Sequence, residues 1–154
     1  MRRLLLVAFC TGTIWGTMSA AAQDPDLDFR EADHRWQHRL LYVFAPSETD
    51  DAFAKTAARF GEEMVAVEER DGLVLLLPHV GTGRWMGSGP LRPNVGPALR
   101  ARYGIADEDG VVVLVGKDGT EKARYDLPAT PAEVFNRIDT MPMRQREMRE
   151  RSGR

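Results

Sequence analysis

Beyond the N-terminal segment, the chain contains three runs of mainly apolar residues that do not alternate with polar ones. They are residues 39–45 (Arg-Leu-Leu-Tyr-Val-Phe-Ala), 73–77 (Leu-Val-Leu-Leu-Leu) and 111–115 (Val-Val-Val-Leu-Val). A strand with one face in water alternates, so these runs predict strands that are covered on both faces. A Gly-Lys-Asp-Gly turn and an alternating run at 120–125 follow the third strand and predict an antiparallel hairpin.

The segments that connect these strands include residues whose apolar positions have helical spacing. From Asp50 to Met64, apolar residues recur every three or four positions, which predicts an amphipathic helix. A strand–helix–strand order implies a parallel pair with a right-handed crossover. Residues 97–103 predict a short helix that Gly104 caps. Thr-Pro-Ala-Glu at 130–133 carries an N-cap, a proline at the first helical position and a glutamate at the third, which predicts a closing helix.

The prolines and glycines predict where the regular elements stop. Pro46 and Pro78 follow the first two apolar runs and are expected to end those strands, because proline cannot donate to a ladder. Residues 79–96 are rich in glycine and proline and have no apolar period, although Trp85 and Met86 lie in the middle. This pattern predicts a long irregular loop, and loops of this length are often functional.

The order of these elements predicts an α/β fold in which helices flank a mixed sheet of about four strands. This is the layout of the thioredoxin fold. Within the 154 residues, we predict a signal peptide at 1–22, an acidic flexible leader at 23–33, a thioredoxin-like domain at 34–140 and a basic C-terminal tail at 141–154.

The N-terminal residues predict export to the periplasm or the medium. Two arginines precede a short apolar run, and three alanines at 20–22 precede a cleavage point before Gln23. The alternative is a membrane anchor, which is disfavoured because threonines and glycines dilute the run. The next residues are acidic and mostly polar, so we expect them to be loose, with Leu27 and Phe29 as possible anchors.

Cysteine usage and charge exclude several classes of function. The single cysteine is Cys10, inside the signal segment, so the predicted mature chain has none. This excludes thiol redox catalysis, cysteine-attached haem and cysteine-ligated zinc, but leaves other enzyme chemistry open. Without Arg2 and Arg3 the mature chain has 19 basic and 23 acidic residues. A net negative charge argues against nucleic acid as a partner.

Three stretches of the sequence resemble a known family. They are residues 39–47 (Arg-Leu-Leu-Tyr-Val-Phe-Ala-Pro-Ser), 115–119 (Val-Gly-Lys-Asp-Gly) and 138–149 (Ile-Asp-Thr-Met-Pro-Met-Arg-Gln-Arg-Glu-Met-Arg). Together they resemble the bacterial DUF4174 family, a domain of unassigned function that is also similar to the C-terminal domain of the eukaryotic sushi-repeat SRPX proteins. The resemblance covers most of the mature chain and is most specific at Met-Pro-Met-Arg. It implies a thioredoxin- or peroxiredoxin-like fold and no activity.

The chain departs from thioredoxin-like catalysts at both halves of their active site. Such proteins carry a nucleophilic cysteine after the first core strand, where the start of a helix lowers the thiol pKa. Here that place is occupied by Ser-Glu-Thr-Asp-Asp at 47–51. They also carry a cis-proline before the third core strand, where this chain has Asp109 and Gly110.

Two arrangements of polar residues are candidate metal sites in an enzyme or metal carrier of the cell envelope. His34 and His38 are four residues apart, and His79 would have to come from the glycine-rich loop to complete a set of ligands. The acidic turn after the first strand is the other arrangement, although acids in a first helical turn are ordinary capping residues. Its members are Glu48, Asp50 and Asp51.

The favoured hypothesis is a non-catalytic binding module that requires no cofactor and binds a protein or a small anionic ligand. Its predicted binding residues lie where core formation does not explain them. They are Trp85, Met86, Met141, Met143, Arg144, Arg146 and Arg149. A helix that continues past Pro142 would present the arginines as a basic edge; the alternative is a solvated tail whose arginines pair with neighbouring glutamates. The methionines favour packing over copper ligation.

Overall fold

The computed structural model describes residues 27–153, so the predicted signal peptide lies outside the described residues. The strands are β1 (Arg39–Ser47), β2 (Gly72–Val80), β3 (Arg84–Trp85), β4 (Gly89–Pro90), β5 (Val111–Val115) and β6 (Glu121–Asp126). They form one sheet in the order β4-β3-β2-β1-β5-β6. β1 and β2 are parallel and the other neighbours are antiparallel. The predicted parallel pair and the predicted hairpin are both confirmed.

Helices cover both faces of this sheet. They are a 3-10 turn (Glu31–His34), α1 (Asp51–Glu62), α2 (Met64–Glu68), α3 (Val95–Tyr103), α4 (Pro131–Asp139) and α5 (Pro142–Ser152). The predicted starts of α1 and α4 are confirmed: the Asp50 side chain accepts from the Phe53 amide at 2.8 Å, and Thr130 and Glu133 form a capping box. α3 begins at Val95, two residues before its predicted start. Gly104 ends α3 with a φ of 62°. No helix within residues 27–153 is long and apolar enough to cross a membrane.

The core has two layers because successive side chains of a strand point to opposite faces. Leu40, Tyr42 and Phe44 of β1 face a cluster that includes residues of α3. The intervening residues of β1 face a second cluster, which includes residues of α1, α2 and α4. All five residues of β5 are buried. Coverage on both faces therefore explains why the apolar runs do not alternate.

Both prolines that were expected to end strands lie inside them instead. β1 continues through Pro46, and β2 continues through Pro78. The antiparallel partner of β1 reaches only to Phe44, and that of β2 reaches only to Leu76. Each proline is therefore past the last residue paired on one side, where a missing N–H removes no ladder bond.

The segment expected to be an irregular loop adds two strands to the sheet. β3 and β4 form a short hairpin on the edge of β2, with Trp85 opposite Leu75. Gly87 in the hairpin turn and Gly89, the first residue of β4, have φ values of 80° and 146°, which side-chain-bearing residues rarely adopt. The sheet therefore has six strands within residues 27–153 rather than about four.

Residues at both ends of the described chain pack against the domain, although the sequence predicted a flexible leader and a basic tail. Leu27 forms a bridge with Leu91 of the hairpin segment, and Phe29 is 7% exposed in the core. The possible anchors of the acidic leader are thus packed residues. At the other end, the basic tail forms helix α5 after a break at Thr140.

Candidate functional site

The C-terminal end of β1, where thioredoxin-like catalysts place a thiol, is occupied by residues that stabilise the local fold. The Ser47 and Thr49 hydroxyl oxygens lie 2.8 Å apart. The Glu48 carboxylate accepts from the Thr82 amide at 3.2 Å, and Asp50 caps α1. Of the acidic turn, Asp50 is thus a helix cap, Glu48 bonds the segment after β2, and Asp51 is an exposed residue of the first helical turn. Gly110 precedes β5 in the sequence, and the cis peptide bond among the described residues, Leu127–Pro128, lies after β6.

The three histidines do not come together. His34 and His38 have their Nδ1 atoms 3.4 Å apart, and the His34 ring stacks on Phe29 with centroids 4.9 Å apart. Burial, and then the charge of His38, lowers the pKa of His34. His79 belongs to β2, and its Nδ1 lies 3.1 Å from an Asp107 oxygen. Within residues 27–153, no group of three or more histidines and carboxylates is close enough to hold a metal ion.

Trp85 and Met86 contribute to opposite faces of the sheet. The Trp85 ring packs edge-on against Phe29 with centroids 5.8 Å apart, in the first core cluster. Met86 packs against the second cluster. The cleft beside this hairpin shares no lining residue with the cleft beside α5. The structure therefore does not combine the two predicted binding segments into one site.

Helix α5 is held to the domain by its inward-facing charges, which include one of the predicted binding residues. Arg144 is 6% exposed. Its guanidinium donates to the Glu69 carbonyl at 2.8 Å and to an Asp139 oxygen at 3.1 Å. Asp139 also accepts from Arg70 at 2.6 Å. Arg144 is therefore a structural residue, and the expectation that it belongs to an exposed basic edge is wrong.

A second ionic cluster joins α5 to the start of β1 and to the β5–β6 turn. The Glu147 carboxylate accepts two 3.1 Å hydrogen bonds from Arg39 and a 2.8 Å bond from Lys117. Lys117 also donates to Asp71 at 2.8 Å. Burial disfavours ionisation of Glu147, but the bonds and charges of Arg39 and Lys117 outweigh burial and lower its pKa. Because Arg39 is 1% exposed, Glu147 is needed to balance a buried charge.

A cleft of about 450 Å³ lies between this cluster, the β5–β6 turn and the α4–α5 junction. Its volume is in the range of small-molecule sites. Five cationic side chains and one carboxylate line it together with an aromatic ring and two thioethers. The lining residues are Trp36, Arg39, Gly116, Lys117, Asp118, Lys122, Arg137, Thr140, Met141, Pro142, Met143 and Arg146.

The cations of this cleft divide into paired and unpaired groups. Arg39 and Lys117 pair with Glu147, and Lys122 pairs with Asp118 at 2.7 Å. Arg137 and Arg146 are exposed and have no carboxylate partner among residues 27–153. The cleft therefore presents two uncompensated guanidinium groups, one from α4 and one from α5.

Trp36 forms one wall of the cleft in an unusual conformation. Its side chain is 64% exposed and its φ is 66°, a left-handed value that costs a residue with a side chain roughly 1–2 kcal/mol. The Trp36 amide donates to the Lys117 carbonyl at 2.6 Å, and Arg35 Nε donates to the Asp118 carbonyl at 3.0 Å. The β5–β6 turn thus holds an exposed indole in a strained position, as functional sites often do.

Three of the predicted binding residues, Met141, Met143 and Arg146, line this cleft, and their role in binding stays a prediction. Arg149 is exposed on α5 and does not line the cleft. Trp36 and Arg137 were missed. The available signal for Trp36 was a large aromatic residue in a mostly polar segment, where no apolar period places it in the core.

The sheet order and the helices on both faces define a thioredoxin-like fold. Among solved structures, the chain is similar to thioredoxin peroxidase I of Plasmodium yoelii, with 14% identity, 75% of this chain and 79% of that chain covered, and a TM-score of 0.56. It is also similar to Plasmodium yoelii Prx1a (14% identity, 75% and 80% covered, TM-score 0.58) and to the reduced 2-Cys peroxiredoxin of Plasmodium vivax (12% identity, 75% and 71% covered, TM-score 0.56). At these identities the similarity shows the fold alone.

Family membership is shown by the sequence itself. Residues 31–147 match the family described as "Domain of unknown function (DUF4174)". The chain belongs to this family, as the resemblance implied. The matched range includes every residue that lines the cleft beside α5.

Proposed function

We propose that this protein is an exported, non-catalytic binding module that holds an anionic ligand in the cleft between Trp36 and the α4–α5 junction. The observation that carries the proposal is the pair of uncompensated arginines, Arg137 and Arg146, in a cleft whose other cations are already paired. Two guanidinium groups offer planar sets of donors that match a carboxylate or a phosphate.

The paired charges of the cleft explain why the arginines are available. Glu147 and Asp71 are occupied by Arg39 and Lys117, and Asp118 is occupied by Lys122. A reorganisation that brought one of these carboxylates to Arg146 would leave another cation without its partner. An incoming anion can therefore neutralise the two arginines without breaking the bonds that hold α5 in place.

The binding proposal is tested by an amide NMR titration of residues 23–154 with sodium phosphate as the probe. We expect shifts in the β5–β6 turn and at the α4–α5 junction. The double variant Arg137→Gln/Arg146→Gln should lose at least tenfold in affinity, and its melting temperature should stay near wild type because both side chains are exposed. Arg149→Gln, a charge change on α5 outside the cleft, is the matched control. Equal affinities of wild type and the double variant would refute the proposal.

Export rests on the predicted signal peptide, which a fractionation experiment tests. The full chain and a variant that lacks residues 2–22 would be expressed in a bacterial host, with immunoblots of periplasm, medium and cytoplasm. We expect the full chain outside the cytoplasm and shortened by cleavage before Gln23, and the truncated chain inside. An uncleaved full chain in the cytoplasm would contradict export and leave the cleft proposal unaffected.

A further inference from the structure

The apolar residues that line the cleft carry information about the rest of the ligand. This inference rests on the proposed function and concerns the same site. We infer that the ligand is an organic anion, a carboxylate or phosphate with an apolar body, whose head group lies at Arg137 and Arg146 and whose body packs on Trp36, Met141 and Met143.

Trp36 is the first observation that points to an apolar body. It belongs to neither of the two core clusters, and 64% of its side chain is exposed. The fold gains little burial from it, yet the backbone holds it at a left-handed φ through bonds to the β5–β6 turn. An indole face supplies a large apolar surface for a ligand and stacks well on flat groups.

The methionines form the complementary part of the same cleft. Met141 and Met143 flank Pro142 at the start of α5, and all three residues line the cleft. Both methionines are half-buried, so their thioethers are held by the domain but remain accessible. Flexible, polarisable thioethers adapt to ligand shape, which suits an apolar body and offers nothing to an inorganic anion.

The size of the cleft supports the same conclusion. An inorganic phosphate would contact the arginines and leave most of the 450 Å³ filled with water. Pockets of about 300–1,000 Å³ hold ligands of drug-like size and bury most of their surface. A ligand with an apolar body would displace the water that lies against Trp36 and the methionines, and the hydrophobic effect would add to the charge interaction.

The chain offers an internal reporter for the test. Trp36 and Trp85 are the two tryptophans of residues 23–154. In a Trp85→Phe variant, Trp36 becomes the single tryptophan of that chain, so its fluorescence reports on the cleft directly. Phe retains the aromatic packing of Trp85 on Phe29, so this variant should fold.

The experiment compares phenyl phosphate with inorganic phosphate in this single-tryptophan background. We expect phenyl phosphate to quench or shift the Trp36 emission and to bind at least tenfold more tightly than inorganic phosphate. Trp36→Ala, followed by NMR, should reduce the affinity for phenyl phosphate to that for inorganic phosphate. Because Trp36 is exposed, the Trp36→Ala variant should fold, and its melting temperature should stay near that of wild type.

The outcomes separate this inference from the proposal on which it rests. If phenyl phosphate and inorganic phosphate bind with equal affinity, and neither binds Arg137→Gln/Arg146→Gln, the inference of an apolar body is wrong. The proposed anion site would still stand. Phenyl phosphate binding that depends on Trp36 but not on the arginines would overturn the proposed function. Trp36-dependent binding to vesicles of anionic phosphatidylglycerol, without phenyl phosphate binding, would overturn both in favour of a membrane surface.

Discussion

The two ends of β1 use their polar residues in different ways. At the C-terminal end, Ser47, Glu48 and Asp50 all form hydrogen bonds within the local fold. At the N-terminal end, Arg39 anchors an ionic cluster, and the cleft beside it contains two arginines without carboxylate partners and an exposed tryptophan. At the end where thioredoxin-like catalysts carry their thiol, these polar side chains thus have hydrogen-bond partners within the fold. At the opposite end, the side chains of two arginines and one tryptophan have no such role in the fold of residues 27–153.

This difference explains how a thioredoxin-like scaffold can keep its shape without a thiol. The hydrogen bonds at the C-terminal end of β1 join hydroxyls, carboxylates and backbone amides, so they do not depend on a thiol. The N-terminal end has an additional helix, α5, that is tied to β1 by Arg39 and Glu147. Residues of α5 that precede Glu147 supply one side of the candidate site, so binding at this end depends on the docking of α5.

The largest expected effect comes from removing the carboxylate that ties α5 to β1. Glu147→Ala leaves Arg39, which is 1% exposed, without its charged partner. Breaking a buried ion pair from one side costs roughly 3 kcal/mol. Chemical denaturation should show this loss in the free energy of unfolding, while Glu150→Ala, an exposed change on the same helix, should stay within about 0.5 kcal/mol of wild type. A Glu147→Ala protein as stable as the control would show that α5 is not held by this cluster.

A smaller effect is expected from removing the charge of Glu147 while keeping its shape. Its folded-state pKa lies below the ordinary value of 4.5, so its ionisation stabilises the fold above pH 4.5. That contribution is lost as the pH falls through the folded-state pKa. The wild-type free energy of unfolding should therefore fall more steeply on acidification below pH 4.5 than that of Glu147→Gln. If the free energy of unfolding falls equally steeply with pH in wild type and in Glu147→Gln, Glu147 does not contribute to the acid sensitivity of the protein.

The smallest expected effect is at the opposite end of β1. Asp50→Ala removes the side-chain acceptor of the Phe53 amide and should cost about 1 kcal/mol of stability, as loss of an N-cap usually does. Phosphate binding at the cleft should be unchanged. Lys55→Ala, on the exposed face of α1, is the control for a change in helix charge. Altered phosphate affinity in Asp50→Ala would show that the two ends of β1 are not independent.

Particular residues show which parts of the fold and the candidate site can be predicted from the sequence. The unbroken apolar runs predicted the central strands correctly, because burial on both faces removes alternation whatever the partner strands are. The predicted strand ends at Pro46 and Pro78 were wrong, because whether a strand can contain a proline depends on how far the neighbouring strands extend. The basic tail was read as one surface, although Arg144 is buried and Arg146 lines the cleft.

The sequence by itself determined the α/β class, the parallel pair, the hairpin, the starts of α1 and α4 and the absence of a thiol from residues 23–154. These features depend on periodicity, local caps and composition, which are local properties of the chain. Only the tertiary structure decided which cations are paired, because Arg39 meets Glu147 across 108 positions and Arg144 meets the Glu69 carbonyl across 75. Electrostatic pairing depends on distance in space, so the candidate site became visible only once the chain was folded.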